Sequence, residues 1–178
     1  MRAEADQGDV AARALGERLV ALYRVVGARN MSDLPVYNAA LDVEAIGFHA
    51  YEGHALGIVV TPWFMNIVRA PLDGGCDSDI PAPGTTVRRV LPAGSFDFTV
   101  GSLDGFGRIE SCSLFSPMFD FADPASARAM AEAALAAIRD SQFEQTDAAD
   151  SAAPPRRSTN SPIDRRSLLR GEFREPRP

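Results

Sequence analysis

The stretch Leu56-Gly-Ile-Val-Val-Thr-Pro-Trp-Phe-Met-Asn-Ile-Val68 decides how this chain is read. Its first five residues are apolar and mostly β-branched, the pattern of a buried strand. Pro62 breaks that strand, because a proline cannot donate to a sheet ladder. Trp63, Phe64, Met65 and Asn66 are thereby placed at a strand end or bulge, where irregular backbone can turn side chains toward a surface. A second stretch, Ser113-Leu-Phe-Ser-Pro-Met-Phe-Asp-Phe121, repeats the design: strand, Ser-Pro break, then aromatic residues with a methionine. Aromatic residues and methionine are often plain core. The backbone break before each segment favours a groove instead, and methionine beside aromatics makes such a groove adaptable. Its expected lining is Trp63, Phe64, Met65, Asn66, Phe115, Met118 and Phe119.

Outward from these segments the hydrophobic period changes. Residues 9–26 read as a helix with Asp9 as N-cap; Ala11, Leu15, Leu19, Leu22, Tyr23 and Val26 recur at three- and four-residue steps, and Gly27 ends it. A connector with Pro35 and Asn38 follows. Strands are expected over 43–51, 56–61, 87–91, 95–101 and 109–115, with turns at 52–54 and at Pro92-Ala-Gly94. Residues 71–86 hold too many turn formers for regular structure. Asp123 and Pro124 announce a final helix over 125–141, with Met130, Ala134, Leu135, Ala137 and Ile138 on its apolar stripe. The expected fold is α+β: a small antiparallel sheet of four or five strands flanked by an N-terminal and a C-terminal helix. That single domain covers residues 9–142. Residues 143–178, rich in Pro, Ser and Arg, form an expected disordered tail.

All 18 basic residues are arginine, and the chain carries a formal charge of −6. Residues 154–178 hold seven arginines against three acids, a net of +4, which leaves −10 on the rest of the chain. An acidic body argues against nucleic acid as a partner, since phosphate binding needs a basic face. It suits a basic peptide, or serves solubility alone. The first residues lack the apolar segment of a signal peptide. No apolar run approaches the roughly 18 residues that span a bilayer. A cytoplasmic protein without membrane insertion is expected.

Catalytic and metal signatures are weak. His49 and His54 are the only histidines, and Glu52 lies between them. One of them could act as the base of a hydrolase, but no third zinc ligand is identifiable. Asp73-Gly-Gly-Cys-Asp-Ser-Asp79 lacks the order of a calcium loop and its closing glutamate. Cys76 and Cys112 form no CxxC pair. No G-x-S-x-G elbow, P-loop or dinucleotide fingerprint occurs. The expectation is a non-catalytic binding protein with no cofactor and no metal.

Four segments resemble the HybE/HupJ family of nickel–iron hydrogenase assembly chaperones. They are Pro35-Val-Tyr-Asn-Ala-Ala-Leu-Asp-Val-Glu-Ala-Ile-Gly-Phe48, Val60-Thr-Pro-Trp-Phe-Met-Asn66, Pro92-Ala-Gly-Ser-Phe-Asp-Phe98 and Cys112-Ser-Leu-Phe-Ser-Pro-Met-Phe-Asp-Phe-Ala-Asp123. The likeness covers residues 31–140. It implies an accessory protein for exported hydrogenases that attends the precursor of the small, iron–sulfur subunit, whose export signal carries twin arginines. It also implies possible partners among other hydrogenase accessory proteins or a rubredoxin-like protein. The alternative role is redox-linked protection of iron–sulfur clusters, in which Cys76 or Cys112 would take part. The chain has no rubredoxin cysteine pairs of its own.

Asp164-Arg-Arg-Ser-Leu-Leu-Arg-Gly171 itself resembles a twin-arginine core, with Arg165, Arg166, Leu168 and Leu169 in the matching places. No apolar segment follows it, so an export signal is not expected. A plain basic tail is one reading. The sharper one is a tethered mimic of the client's signal: a linker of some two dozen residues has a reach of roughly 25–30 Å. Tethering then supplies an effective concentration near millimolar.

Overall fold

The computed structural model describes residues 2–72 and 80–140. The acid-rich loop at 73–79 with Cys76, and the tail with Arg165, Arg166, Leu168 and Leu169, lie outside the described residues. Two helices and six strands follow in chain order: α1 (Arg2–Val26), β1 (Glu44–Tyr51), β2 (His54–Val60), β3 (Met65–Pro71), β4 (Thr86–Leu91), β5 (Gly94–Leu103), β6 (Gly107–Phe115) and α2 (Pro124–Arg139). The expected α+β class is correct, with one strand more than expected. The addition is β3. Its start coincides with the aromatic segment, so Ile67-Val-Arg-Ala70 reads as the trailing edge of a loop. The turn at 61–64 instead reverses the chain, and Met65 pairs directly with Val60.

All neighbouring strands are antiparallel, in the order β1-β2-β3-β6-β5-β4. Two three-stranded meanders thus meet along β3 and β6. Side-chain alternation sends Leu56, Ile58, Met65, Ile67, Phe96, Phe98 and Cys112 to the face packed by α2. Ala55, Val59, Val68, Ala70 and Ile109 go to the face packed by α1. The sheet curls: Tyr51 of β1 and Leu91 of β4, from its opposite edges, line one cavity. The end of α2 sits against this seam, where the Ala93 amide donates to the Ile138 carbonyl at 3.1 Å.

A bulge in β1 between Ile46 and His49 lets one strand serve both layers. Gly47 takes φ +60°, a left-handed conformation that glycine adopts without steric cost. Ile46 therefore faces α2 while Phe48 faces α1. The same glycine makes room for Leu135 of α2, whose Cδ2 stands 2.1 Å from where a Cβ would be.

The helix ends differ from expectation in two places. Asp9 is not a cap, because α1 already runs from Arg2; its carboxylate accepts the Ala50 amide of β1 at 2.8 Å. Gly27 does not stop the helix, which continues as a π-helical turn, Gly27–Met31. Gly27 is there for closeness: a Cβ would stand 3.2 Å from the Trp63 ring. The α2 start is as expected, with Asp123 accepting the Ser126 amide at 2.7 Å and Pro124 in the first turn.

Candidate functional site

Thr61 shapes the turn that carries Trp63 and Phe64. Its amide donates to the Phe64 carbonyl at 2.8 Å. Its hydroxyl accepts from the amides of Trp63 and Phe64 at 3.2 and 2.9 Å. Proline and threonine together thus hold a tight reversal with both rings on its outside. Trp63 stacks on Tyr37 with centroids 6.0 Å apart and planes 21° apart. Phe64 meets Tyr23 of α1 edge-on at 5.3 Å, and Trp63 meets Phe64 edge-on at 5.6 Å. Burial pushes the Tyr23 hydroxyl up to about 12, so it stays neutral at physiological pH.

Asn38 binds the surrounding segments into one end of the molecule. Its Nδ2 donates to the carbonyls of Met118 and Phe121 at 3.0 and 2.8 Å. Its backbone amide donates to the Pro62 carbonyl at 2.8 Å. The connector, the turn at 61–64 and the loop after β6 are therefore fixed together through one residue, by its side chain and its backbone amide. Ser116 adds a bond from its hydroxyl to the Trp63 carbonyl at 3.4 Å. Asn38 was legible in sequence only as a connector residue; no local pattern assigns it three partners.

The seven residues expected to line one groove do not share one surface. Met65 and Met118 have no exposed surface and belong to the core under α2, so they line nothing. Met65 is a ladder residue paired with Val60 and Phe115, which directs its side chain inward. Phe115 is half-buried against the same core and meets Phe121 edge-on at 5.0 Å. Trp63 and Phe64 pack against the other layer, beside α1. Asn66 lies opposite Val59 in register and so shares that α1-side face; its Oδ1 is buried without a partner among the described residues. Phe119 alone of the seven is largely exposed, at 59%.

What is accessible is a few exposed apolar side chains on segments that Asn38 joins, not a lined groove. Leu34 and Val36 of the connector are exposed, as is Phe119 of the loop after β6. Asn38 joins these two segments. Asp33 and Asp120, both exposed, adjoin Leu34 and Phe119 in the chain. Apolar side chains flanked by carboxylates can take an apolar segment that carries cations.

Other candidates are more restricted. His49 Nδ1 lies 2.9 Å from the Gly47 carbonyl. His54 Nδ1 lies 2.9 Å from the Glu52 carbonyl and 3.0 Å from Arg69. Each ring is engaged locally rather than with the other. Among the described residues no three His, Cys, Asp or Glu side chains are placed to hold a metal ion. Cys112 is 1% exposed, inside the core, out of reach of a redox partner. No described helix is long and apolar enough to cross a membrane.

One buried cluster had no counterpart in the sequence reading. Glu110 of β6 is fully buried and gripped by Arg69 of β3 and Arg89 of β4. Burial would raise its carboxyl, but the hydrogen bonds from Arg89 and Arg69 outweigh that and hold it below its ordinary value. The available signal was Arg69, the lone charge in the apolar run Ile67-Val-Arg-Ala70, which demands a partner of opposite sign.

A sequence model of the family described as NiFe-hydrogenase assembly chaperone HybE matches residues 14–171. The hydrogenase expression/formation protein HupJ of Bradyrhizobium diazoefficiens is 48% identical over 177 residues, 99% of both chains. The hydrogenase expression/formation protein HupT of Azotobacter chroococcum is 46% identical over 120 residues, 67% of this chain and 78% of that one. The solution structure of HybE from Escherichia coli shares the fold, with a TM-score of 0.54 over 83% of this chain and 89% of that one, at 23% identity.

Proposed function

The chain belongs to the HybE family of nickel–iron hydrogenase assembly chaperones, and on that premise we propose that it binds the precursor of a hydrogenase small subunit through the Asn38-clamped end of its sheet. Binding before export would hold the precursor until its clusters are in place. The observation that carries this reading is the exposed Phe119, with Leu34 and Val36, beside Asp33 and Asp120 on segments fixed to one another. A twin-arginine signal offers guanidinium groups next to an apolar stretch. Carboxylates take guanidinium bidentately, and the apolar side chains take the rest. Trp63 and Phe64, braced by Tyr37 and Tyr23, keep the platform rigid, which lowers the entropic cost of binding.

The role is binding rather than catalysis, and the tail segment at 165–169 is proposed to compete for the same end. The test is affinity capture of the small-subunit precursor, with and without its signal peptide, by the full chain. Signal-dependent capture that Phe119→Ala weakens supports the reading. Equal capture of precursor and signal-less subunit transfers the site to the mature subunit. Deleting residues 154–178 is expected to raise affinity for the signal; unchanged affinity removes the mimic.

A further inference from the structure

A cavity of about 490 Å³ with three arginines in its lining is left unused by the chaperone reading. Arg69, Arg88 and Arg89 line it, with Tyr51, Leu91 and Glu52. It lies in the seam between the outer strands, beside His54 at the start of β2. The aromatic turn follows Val60 at the other end of that strand, so the two sites are about 20 Å apart at the ordinary rise per residue.

The charge arrangement inside the seam is unbalanced. Arg69 Nη1 donates to Glu110 Oε2 at 2.9 Å, and Arg89 Nε donates to the same oxygen at 3.0 Å. Arg89 Nη2 donates to Oε1. One carboxylate thus serves two cations, leaving an excess of one positive charge. Arg69 is only 8% exposed. Its other neighbour, His54 Nδ1 at 3.0 Å, supplies no negative charge, since an imidazole is neutral or cationic. An excess charge withdrawn from water is unfavourable unless an anion meets it. Arg88, next in the chain to Arg89, is held by Asp97 through Nε at 3.0 Å. The remaining carboxylate of the lining, Glu52, is exposed at the rim and makes no ion pair among the described residues.

We propose that this cavity binds an oxyanion, a carboxylate or phosphate, carried by a small molecule or by the end of a peptide chain. The planar guanidinium fork fits either group. Tyr51 and Leu91 give the walls an apolar part suited to a short carbon body, and the volume is that of a small-ligand site. Glu52 acts against the ligand at the entrance.

The test is titration of the isotopically labelled full chain with sodium phosphate, with sodium acetate, and with a short peptide carrying either a free or an amidated C-terminus. Ionic strength is held constant, and backbone amide and arginine Nε–H resonances are followed. Saturable shifts confined to Arg69, Tyr51, Glu52 and the 88–91 segment are expected. Arg88→Gln is expected to weaken binding about tenfold, the value of one charge-assisted contact, and Glu52→Gln to tighten it. Both residues are exposed, so both variants keep the fold. Saturation by the free but not the amidated peptide, without phosphate or acetate, identifies a chain terminus; saturation by phosphate or acetate identifies a small anion. Shifts that follow ionic strength alone, or binding indifferent to both substitutions, would overturn the proposal.

Discussion

The ring of Phe48 lies across Gly57 so closely that a Cβ on Gly57 would stand 2.4 Å from Phe48 Cδ2. On its other side the ring meets Gly16 of α1, where a Cβ would stand 3.0 Å away. The aromatic ring therefore fills a slot between helix and sheet made by two missing side chains, and it has no direction in which to retreat. Gly57→Ala is expected to cost about 1–3 kcal/mol, the usual penalty of overpacking. Urea unfolding should show a lower midpoint with an unchanged slope. An unaltered midpoint would mean that Phe48 can leave the slot at no cost.

Glu110, on the opposite face of the sheet, makes the fold pH-sensitive. Its carboxyl is held below the ordinary value of 4.5, despite burial, by Arg89 and Arg69. A carboxylate depressed on folding contributes stability that is complete above the unfolded value and is lost as pH falls through the lower folded one. The urea midpoint of the wild type is thus expected to decline below about pH 4.5. Glu110→Gln leaves two guanidinium groups without their counter-charge and should cost about 3–5 kcal/mol at neutral pH. Its acid decline should be shallower than that of the wild type. Parallel pH profiles for the two proteins would assign the acid sensitivity elsewhere.

The legible parts of this fold were those written locally. The α2 start is carried by Asp123 and Pro124, and the β4–β5 hairpin by Pro92-Ala-Gly94, so each was readable from a few adjacent residues. The aromatic turn was located by Pro62. What was missed depends on partners far away in the chain. Asp9 looks like a cap until Ala50, 41 residues on, takes its carboxylate. Met65 and Met118 resemble Trp63 and Phe119 in composition, but strand register and a loop hydrogen bond turn them inward. Arg69 and Glu110 are likewise 41 residues apart, and only the pairing of β3 with β6 brings them together.

Asn38 should behave as a hinge pin. Asn38→Ala removes two donated hydrogen bonds, to Met118 and Phe121, and leaves those carbonyls to find water. About 1–3 kcal/mol is the expected cost at this half-buried site. Asn38→Asp should be worse, because a carboxylate cannot donate and would face two carbonyl oxygens. Unfolding followed through Trp63, the only tryptophan, reads this directly. Equal stability of Ala and Asp variants would show that the side-chain amide is not what joins the loops.

Met118 and Phe119 are neighbours in sequence with opposite roles, and that contrast separates folding from binding. Met118→Ala empties a fully buried site and should cost about 2–5 kcal/mol of stability. Its effect on precursor capture should follow only the fraction that remains folded. Phe119→Ala changes a residue 59% exposed, so stability should stay within about 0.5 kcal/mol. Capture of the precursor should nevertheless fall by about 2 kcal/mol, roughly thirtyfold, if Phe119 anchors the client. Asp33→Asn with Asp120→Asn should weaken capture further at low salt and less at high salt, as screened pairs with the signal arginines would. Full capture by the Phe119 variant, with normal folding, would move the client site off this end of the sheet while leaving the family assignment intact.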